Sequence, residues 1–128
     1  MVSGTFQDTD AYFNRGQANF AAGNYDAAIA DYTEAIRLND HEPDVYYYRG
    51  QAKIGRKNYL GAIEDFTLAI RLNPRFVEAY RDRGNALERL GDLIDAKTDF
   101  LKALDLNPHH PQADYMRSKL AQWRNITG

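Results

Sequence analysis

Apolar residues recur through most of the chain at three- and four-residue steps, the spacing that keeps one face of an α-helix apolar. Ala11, Tyr12, Arg15, Gly16 and Asn19 follow this rule up to Gly23-Asn24, and a second run goes from Asp26 through Ala28, Ile29, Tyr32, Ala35 and Ile36 to Asn39. The breaks Gly23-Asn24, Lys57-Asn58 and Gly91-Asp92 have turn chemistry. Pro74 and Pro108 stand where a helix must already have ended, and Asp40, with Pro43 three residues on, marks the same boundary earlier in the chain. No segment of useful length alternates with the period of a strand, so the pattern predicts paired helices throughout.

The pattern repeats every 34 residues. Gly16, Gly50 and Gly84 share a phase, as do Tyr12, Tyr46 and Tyr80; Arg15, Arg49 and Arg83; and Ala18, Ala52 and Ala86. Ala28, Ala62 and Ala96 follow, then Asp31, Asp65 and Asp99, then Ala35, Ala69 and Ala103, then the dipeptides Leu38-Asn39, Leu72-Asn73 and Leu106-Asn107. Nine positions are therefore identical in all three units, where unrelated segments would give about 0.1. The units are 9–42, 43–76 and 77–110, preceded by a flexible terminus, 1–8, and followed by a tail, 111–128. Glycine inside a helix costs about 0.5–1 kcal/mol against alanine, so three at one phase point to a close helix contact. Tyr32, Phe66 and Phe100 fill the space beyond it. A single pair cannot bury its apolar face alone, and neighbouring pairs must stack into a right-handed superhelical solenoid.

This unit resembles the tetratricopeptide repeat. Its signature is carried by Tyr12, Gly16, Ala28, Tyr32 and Ala35; by Tyr46, Gly50, Ala62, Phe66, Ala69 and Pro74; and by Tyr80, Gly84, Ala96, Phe100, Ala103 and Pro108. Asp40 replaces the first proline, and Asn19 and Lys53 replace a usual aromatic. The Arg-Gly form followed by Ala-Ile-x-Asp-aromatic is similar to short bacterial members. The resemblance implies an all-α fold of three helix-turn-helix repeats plus a capping helix, seven helices in all. Ala113, Met116, Leu120 and Trp123 give the tail one narrow apolar stripe that suits a cap, with a dimer contact as the alternative use of Trp123.

Composition narrows the chemistry. Apolar residues make up 44% and charged ones 27% of the 128 residues, close to an ordinary globular domain, which excludes a disordered or collagen-like chain. Sixteen Lys+Arg against 18 Asp+Glu leave no basic excess to hold a phosphate backbone, so no nucleic-acid partner is expected, although helical repeats elsewhere read RNA. No apolar run approaches the roughly 20 residues of a membrane span, and the first residues lack the pattern of an export signal. A cytoplasmic protein without membrane insertion is expected. Cysteine is absent, and the only serines are Ser3 and Ser118. His41 and the adjacent His109-His110 are expected as solvated turn residues without the i, i+4 geometry of a helical metal site. Arg15, Arg49 and Arg83 are expected to bridge Asp31, Asp65 and Asp99, within a repeat or across to its neighbour, as structural pairs, since every repeat supplies a matching carboxylate. The expectation is no enzyme, no cofactor and no bound metal.

The resemblance implies a function on the concave face lined by the first helix of each repeat. The candidate groove residues are Phe13, Gln17, Tyr47, Tyr48, Gln51, Arg81 and Asn85, with Phe20 and Ile54 either lining the groove or completing helix packing. Gln17, Gln51 and Asn85 share one phase and carry amides that suit a peptide backbone. On this reading Tyr47→Ala and Arg81→Glu should abolish partner capture with folding intact. Family members that bind acidic C-terminal tails of chaperones use Lys and Asn, then Asn, then Lys and Arg; the corresponding residues here are Phe13, Gln17, Tyr48, Glu78 and Asp82, so such a tail is not expected. The leading expectation is an adaptor that binds a peptide or helix of a protein partner. The alternative is a scaffold that forms homo-oligomers through the solenoid ends.

Overall fold

The computed structural model describes residues 6–127. Seven helices follow one another: α1 (Phe6–Ala21), α2 (Tyr25–Leu38), α3 (Pro43–Gly55), α4 (Tyr59–Leu72), α5 (Val77–Arg89), α6 (Leu93–Leu106) and α7 (Ala113–Gln122). The described residues contain no strand. Helices pair within repeats as α1–α2, α3–α4 and α5–α6; each second helix also packs on the first helix of the next repeat, and α7 packs on α6. Thus α1, α3 and α5 form one layer and α2, α4 and α6 the other. The terminus expected over 1–8 is shorter than that: residues 6–8 belong to the first turn of α1, where the Asp8 carboxylate suits the positive end of the helix dipole. Residues 1–5 of that terminus lie outside the described residues.

The repeated glycines set the distance between paired helices. A Cβ placed on Gly16, Gly50 or Gly84 would lie 2.6, 2.7 or 2.6 Å from a ring carbon of Tyr32, Phe66 or Phe100, closer than atoms can approach. The three rings and Ala28, Ala35, Ala62, Ala69, Ala96 and Ala103 are wholly buried. Beside this contact Arg15, Arg49 and Arg83 reach Asp31, Asp65 and Asp99 at 2.6, 2.8 and 2.7 Å. Arg49 and Arg83 also donate to the hydroxyls of Thr33 and Thr67 in the preceding repeat, at 3.2 and 3.1 Å, so the pair ties repeats together as well as closing its own.

Two kinds of turn alternate. Between repeats the asparagine of each Leu-Asn pair folds its own chain: the Oδ1 atoms of Asn39, Asn73 and Asn107 accept the backbone N–H two residues on, at 3.1, 3.1 and 3.2 Å. Tyr46 and Tyr80 fasten these turns by donating to the carbonyls of Asp40 and Pro74, at 3.2 and 3.0 Å. Within repeats the turn needs a left-handed residue. Gly23 (φ 79°) and Gly91 (φ 82°) adopt it freely, whereas Lys57 (φ 62°) adopts it with a side chain, at a cost of about 1–2 kcal/mol.

At the C-terminal end, α7 closes the core. Ala113, Met116 and Trp123 are buried, and the Trp123 indole stacks on Phe100, with centroids 5.6 Å apart and planes 14° apart. Trp123 sits one residue past α7, where its N–H still bonds to the Lys119 carbonyl at 2.9 Å.

The three carboxylates of the ladder are not equivalent. Hydrogen bonds from Arg15, joined by Asn19, hold Asp31 below the ordinary aspartate range. Burial carries Asp99 above that range against Arg83, and Leu87 stands where Asn19 stands in the first repeat.

Lys57→Gly should raise stability by about 0.5–1 kcal/mol in urea unfolding, the relief of left-handed strain less the added freedom of the unfolded chain. Gly91→Ala should lower it by about 1–2 kcal/mol. The carboxylates predict opposite pH behaviour between about pH 5 and 3. Asp31, depressed on folding, stabilises above its unfolded pKa and loses this as pH falls through the folded one, so Asp31→Asn should flatten the acid loss of stability. Asp99, raised on folding, binds its proton first in the folded state, so Asp99→Asn should steepen that loss.

Candidate functional site

The layer formed by α1, α3 and α5 carries an aromatic cluster that α2 and α4 only partly cover. Tyr48 of α3 lies at its middle, with ring centroids 6.0 Å from Phe13, 6.3 Å from Phe20, 6.4 Å from Tyr32 and 5.3 Å from Tyr47. Phe13, Phe20, Tyr48 and Ile54 are each half-buried: they pack on the core with one edge and present the other outward. Phe20 and Ile54 thus complete helix packing while keeping an edge exposed. Towards the turn end, Tyr25 fills the space at Gly55, where a Cβ would meet its ring at 2.5 Å. One repeat on, Tyr59 does the equivalent, lying under Arg89 at 5.5 Å and accepting from its guanidinium at 3.0 Å. These two tyrosines, also 34 residues apart, are wall residues that the sequence reading missed; their shared spacing was the available signal.

Polar groups form a connected row beyond the aromatics. Gln51 Nε2 donates to the Tyr47 hydroxyl at 3.1 Å, and that hydroxyl donates to Asp82 Oδ2. Asp82 Oδ1 accepts from Arg81 Nε and Nη2 at 3.0 and 2.8 Å, and Arg81 Nη1 reaches Glu78 at 3.2 Å. Glu78 meets His110 Nε2. His110 Nδ1 accepts the Gln112 N–H at 2.9 Å, which leaves Nε2 to carry the proton. Burial raises the Tyr47 phenol above its ordinary value, and burial likewise raises the Asp82 carboxyl against the pull of Arg81.

These placements change several expectations. Tyr47 is not an open groove anchor: only 8% of it is exposed, its ring packs on Phe66 and Phe76 at 5.6 and 4.9 Å, and its hydroxyl joins α3 to α5. Arg81 is committed to two carboxylates of its own helix, so replacing either residue removes contacts within the fold as well as any with a partner. His110 is a buried partner of Glu78 rather than a solvated turn residue, while His41 and His109 are exposed. Phe13, Tyr48 and Gln51 remain in the first-helix layer, and Gln17 Oε1 accepts from the Tyr32 hydroxyl.

Asn85 differs from the other two amides. The Tyr32 hydroxyl serves Gln17 in the first repeat, whereas Phe66 and Phe100 replace that tyrosine in the others. Gln51 turns to Tyr47 instead, but the matching position of the third repeat is Arg81, whose guanidinium is turned to Asp82 and Glu78. Asn85 Oδ1 is consequently buried without a hydrogen-bond partner. Asn85 borders a cleft of about 380 Å³ with Ile54, Lys57, Tyr59 and Arg89. No group of three or more His, Asp or Glu residues able to hold a metal occurs among the described residues, and none of their helices is long and apolar enough to cross a membrane.

Known proteins agree with this architecture. A tetratricopeptide repeat model matches residues 49–121, more than half of the chain, and a second matches residues 9–42. Among solved structures, the first such domain of Spaghetti (RPAP3), bound to the HSP90 peptide SRMEEVD, is 30% identical with a TM-score of 0.88, covering 94% of this chain and 96% of that one. The second domain of human RPAP3, in complex with the HSP70 peptide SGPTIEEVD, is 32% identical with a TM-score of 0.84, covering 90% and 96%. The domain of Arabidopsis OM64 is 29% identical with a TM-score of 0.86, covering 91% and 96%. No curated protein sequence matches the chain.

Tyr47→Ala should cost about 3–5 kcal/mol in equilibrium unfolding, since it empties a packed ring site. Tyr47→Phe, which leaves Asp82 and Gln51 short of a partner, should cost about 1–3 kcal/mol.

Proposed function

Because the chain belongs to the tetratricopeptide repeat family, we propose that it is a non-catalytic interaction module that holds a peptide or helix of a protein partner along its α1–α3–α5 layer. The observation that carries this reading is the half-buried row of Phe13, Phe20, Tyr48 and Ile54, aromatic and aliphatic edges that no other element among the described residues closes over. Fully burying one such side chain is worth about 1.5–3 kcal/mol, so completing the burial of these half-buried ones contributes about 1 kcal/mol each towards holding a ligand. Gln51 and Asn85 stand beside the row with amides for a partner's backbone, and Asn85 Oδ1 lacks a donor of its own.

The acid-ended peptides in the RPAP3 structures are not the ligand proposed for this chain. Where family members that clamp such tails place basic and amide groups, this chain has Phe13, Gln17, Tyr48, Glu78 and Asp82. Asp82 already holds Arg81 and the Tyr47 hydroxyl, and Glu78 holds Arg81 and His110, so the third repeat presents no unclaimed cation to a carboxylate there.

Self-assembly is the second reading, favoured by the outer face of α1. Ala11 and Ala18 are exposed, whereas Val45, Ala79, Ala52 and Ala86 at the same phases are buried under the preceding repeat. The Arg15 side chain is 65% exposed, against 16% and 21% for Arg49 and Arg83. A monomer in sedimentation at all concentrations would remove this reading.

The groove reading predicts that Phe13→Gln and Ile54→Gln each weaken the binding of a captured partner at least tenfold by isothermal titration, with the helical signal kept. Leu60→Gln, at a residue 67% exposed on the second-helix layer, should change neither binding nor folding. Equal binding by all three variants would remove the groove as the site.

A further inference from the structure

Open negative charge gathers at one end of this groove. Between the starts of α1 and α3 is a cleft of about 190 Å³ whose walls include Phe13, Val45, Asp10, Glu42 and Asp44. Phe13 and Val45 make an apolar floor, and the three carboxylates stand around it. Asp10, Glu42 and Asp44 are exposed and have no hydrogen-bond or ion-pair partner among the described residues. Of the nearby cations, Arg81 is neutralised by Asp82 and Glu78 and Lys119 of α7 by Glu88 at 2.8 Å, whereas Arg89, at the turn end of α5, meets only the neutral Tyr59 hydroxyl. The unpaired Lys57 lies just past the other end of α3, 13 residues from Asp44, which is about 20 Å along a helix.

Resting on the groove reading above, we infer that the occupant is a protein segment in which a lysine or arginine is set among apolar residues, with the basic side chain seated in this cleft. A lysine or arginine is amphipathic in the way the cleft is. Its methylene stem can lie on Phe13 and Val45 while its charged end reaches Asp10, Glu42 and Asp44. Three like charges around a cleft with apolar walls focus a negative potential into it, which draws a cation and repels a carboxylate. The neighbouring edges of Phe20, Tyr48 and Ile54 then take the apolar residues that follow. The open cation at Lys57 lies across the groove, so a segment with a basic residue at one end and an acidic one some 20 Å away fits in one direction and is opposed in the other.

The test is a random dodecapeptide display library panned against the full chain at low salt. Expected is enrichment of peptides with Lys or Arg within two residues of an aromatic or aliphatic side chain. A labelled synthetic copy of the most enriched peptide should lose about tenfold in affinity to the double variant Asp10→Asn/Asp44→Asn. A similar loss should follow when its basic residue becomes glutamine, and both losses should shrink in 0.5 M salt. Melting of the double variant should match the parent, since both carboxylates are exposed. Enriched peptides that are acidic or uncharged, or unchanged binding by the double variant, would overturn the inference. If such peptides still depend on Phe13 and Ile54, the groove reading survives and only its charge preference falls. Peptides indifferent to Phe13→Gln and Ile54→Gln, or no enrichment at all, would end both.

Discussion

The contact that the rest of the structure depends on is an aromatic ring laid directly on a glycine Cα. It occurs three times, Tyr32 on Gly16, Phe66 on Gly50 and Phe100 on Gly84, and each leaves no room for a methyl group. A ring is stiff and an interior is close-packed, so this contact fixes the separation of the paired helices within narrow limits. That separation brings Arg15, Arg49 and Arg83 within bidentate reach of Asp31, Asp65 and Asp99. It also turns the opposite side of each first helix outward, which is where Phe13, Phe20, Tyr48 and Ile54 lie. The groove is therefore a consequence of how the back of the same helices is packed.

The two ends of the stack solve the same problem differently. A repeat leaves one apolar face for its successor, and in the third repeat that face is met by α7 and Trp123, whose indole lies on Phe100. At the other end, α1 offers the face that α2 and α4 cover on α3 and α5. Arg15 keeps its bond to Asp31 but has no threonine of an earlier repeat to meet, unlike Arg49 and Arg83. The first pair of the ladder is thus the most exposed, with Asp31 held below the ordinary range by Arg15 and Asn19, whereas burial carries Asp99 above it.

What could be read from the sequence was whatever is local and repeated. The glycines, alanines, Arg–Asp pairs and Leu-Asn turns have their partners within their own repeat or in the adjoining turn, so identical spacing gave them identical roles. Tyr47 and His110 were misjudged because their partners lie 35 and 32 residues away and belong to positions that vary between repeats. Tyr47 has Phe13 and Arg81 as its counterparts; no periodicity could say that its hydroxyl would find Asp82. A histidine in a turn looks solvated until the turn ahead of α7 sets it against Glu78 of α5. Helix existence and the cap were legible for the opposite reason, that each follows from a pattern several residues long.

The positions that differ between repeats are also those where the first-helix layer varies in chemistry along its length. In the first repeat the amide of Gln17 is satisfied by Tyr32; in the second Gln51 is satisfied by Tyr47; in the third Asn85 Oδ1 has no donor. A buried acceptor without a donor costs about 1–3 kcal/mol, so nothing in folding favours it. The three carboxylates beside Phe13 are solvated and carry no such cost, but they too have no side-chain partner among the described residues. Selection for stability alone would pair the acids and supply the donor, as the Arg–Asp ladder shows this chain can do at three identical positions. A binding surface needs the reverse, polar groups whose partners arrive with the ligand. The contrast between a fully paired packing side and an incompletely paired outer side on the same helices is the physical reason to place the function there.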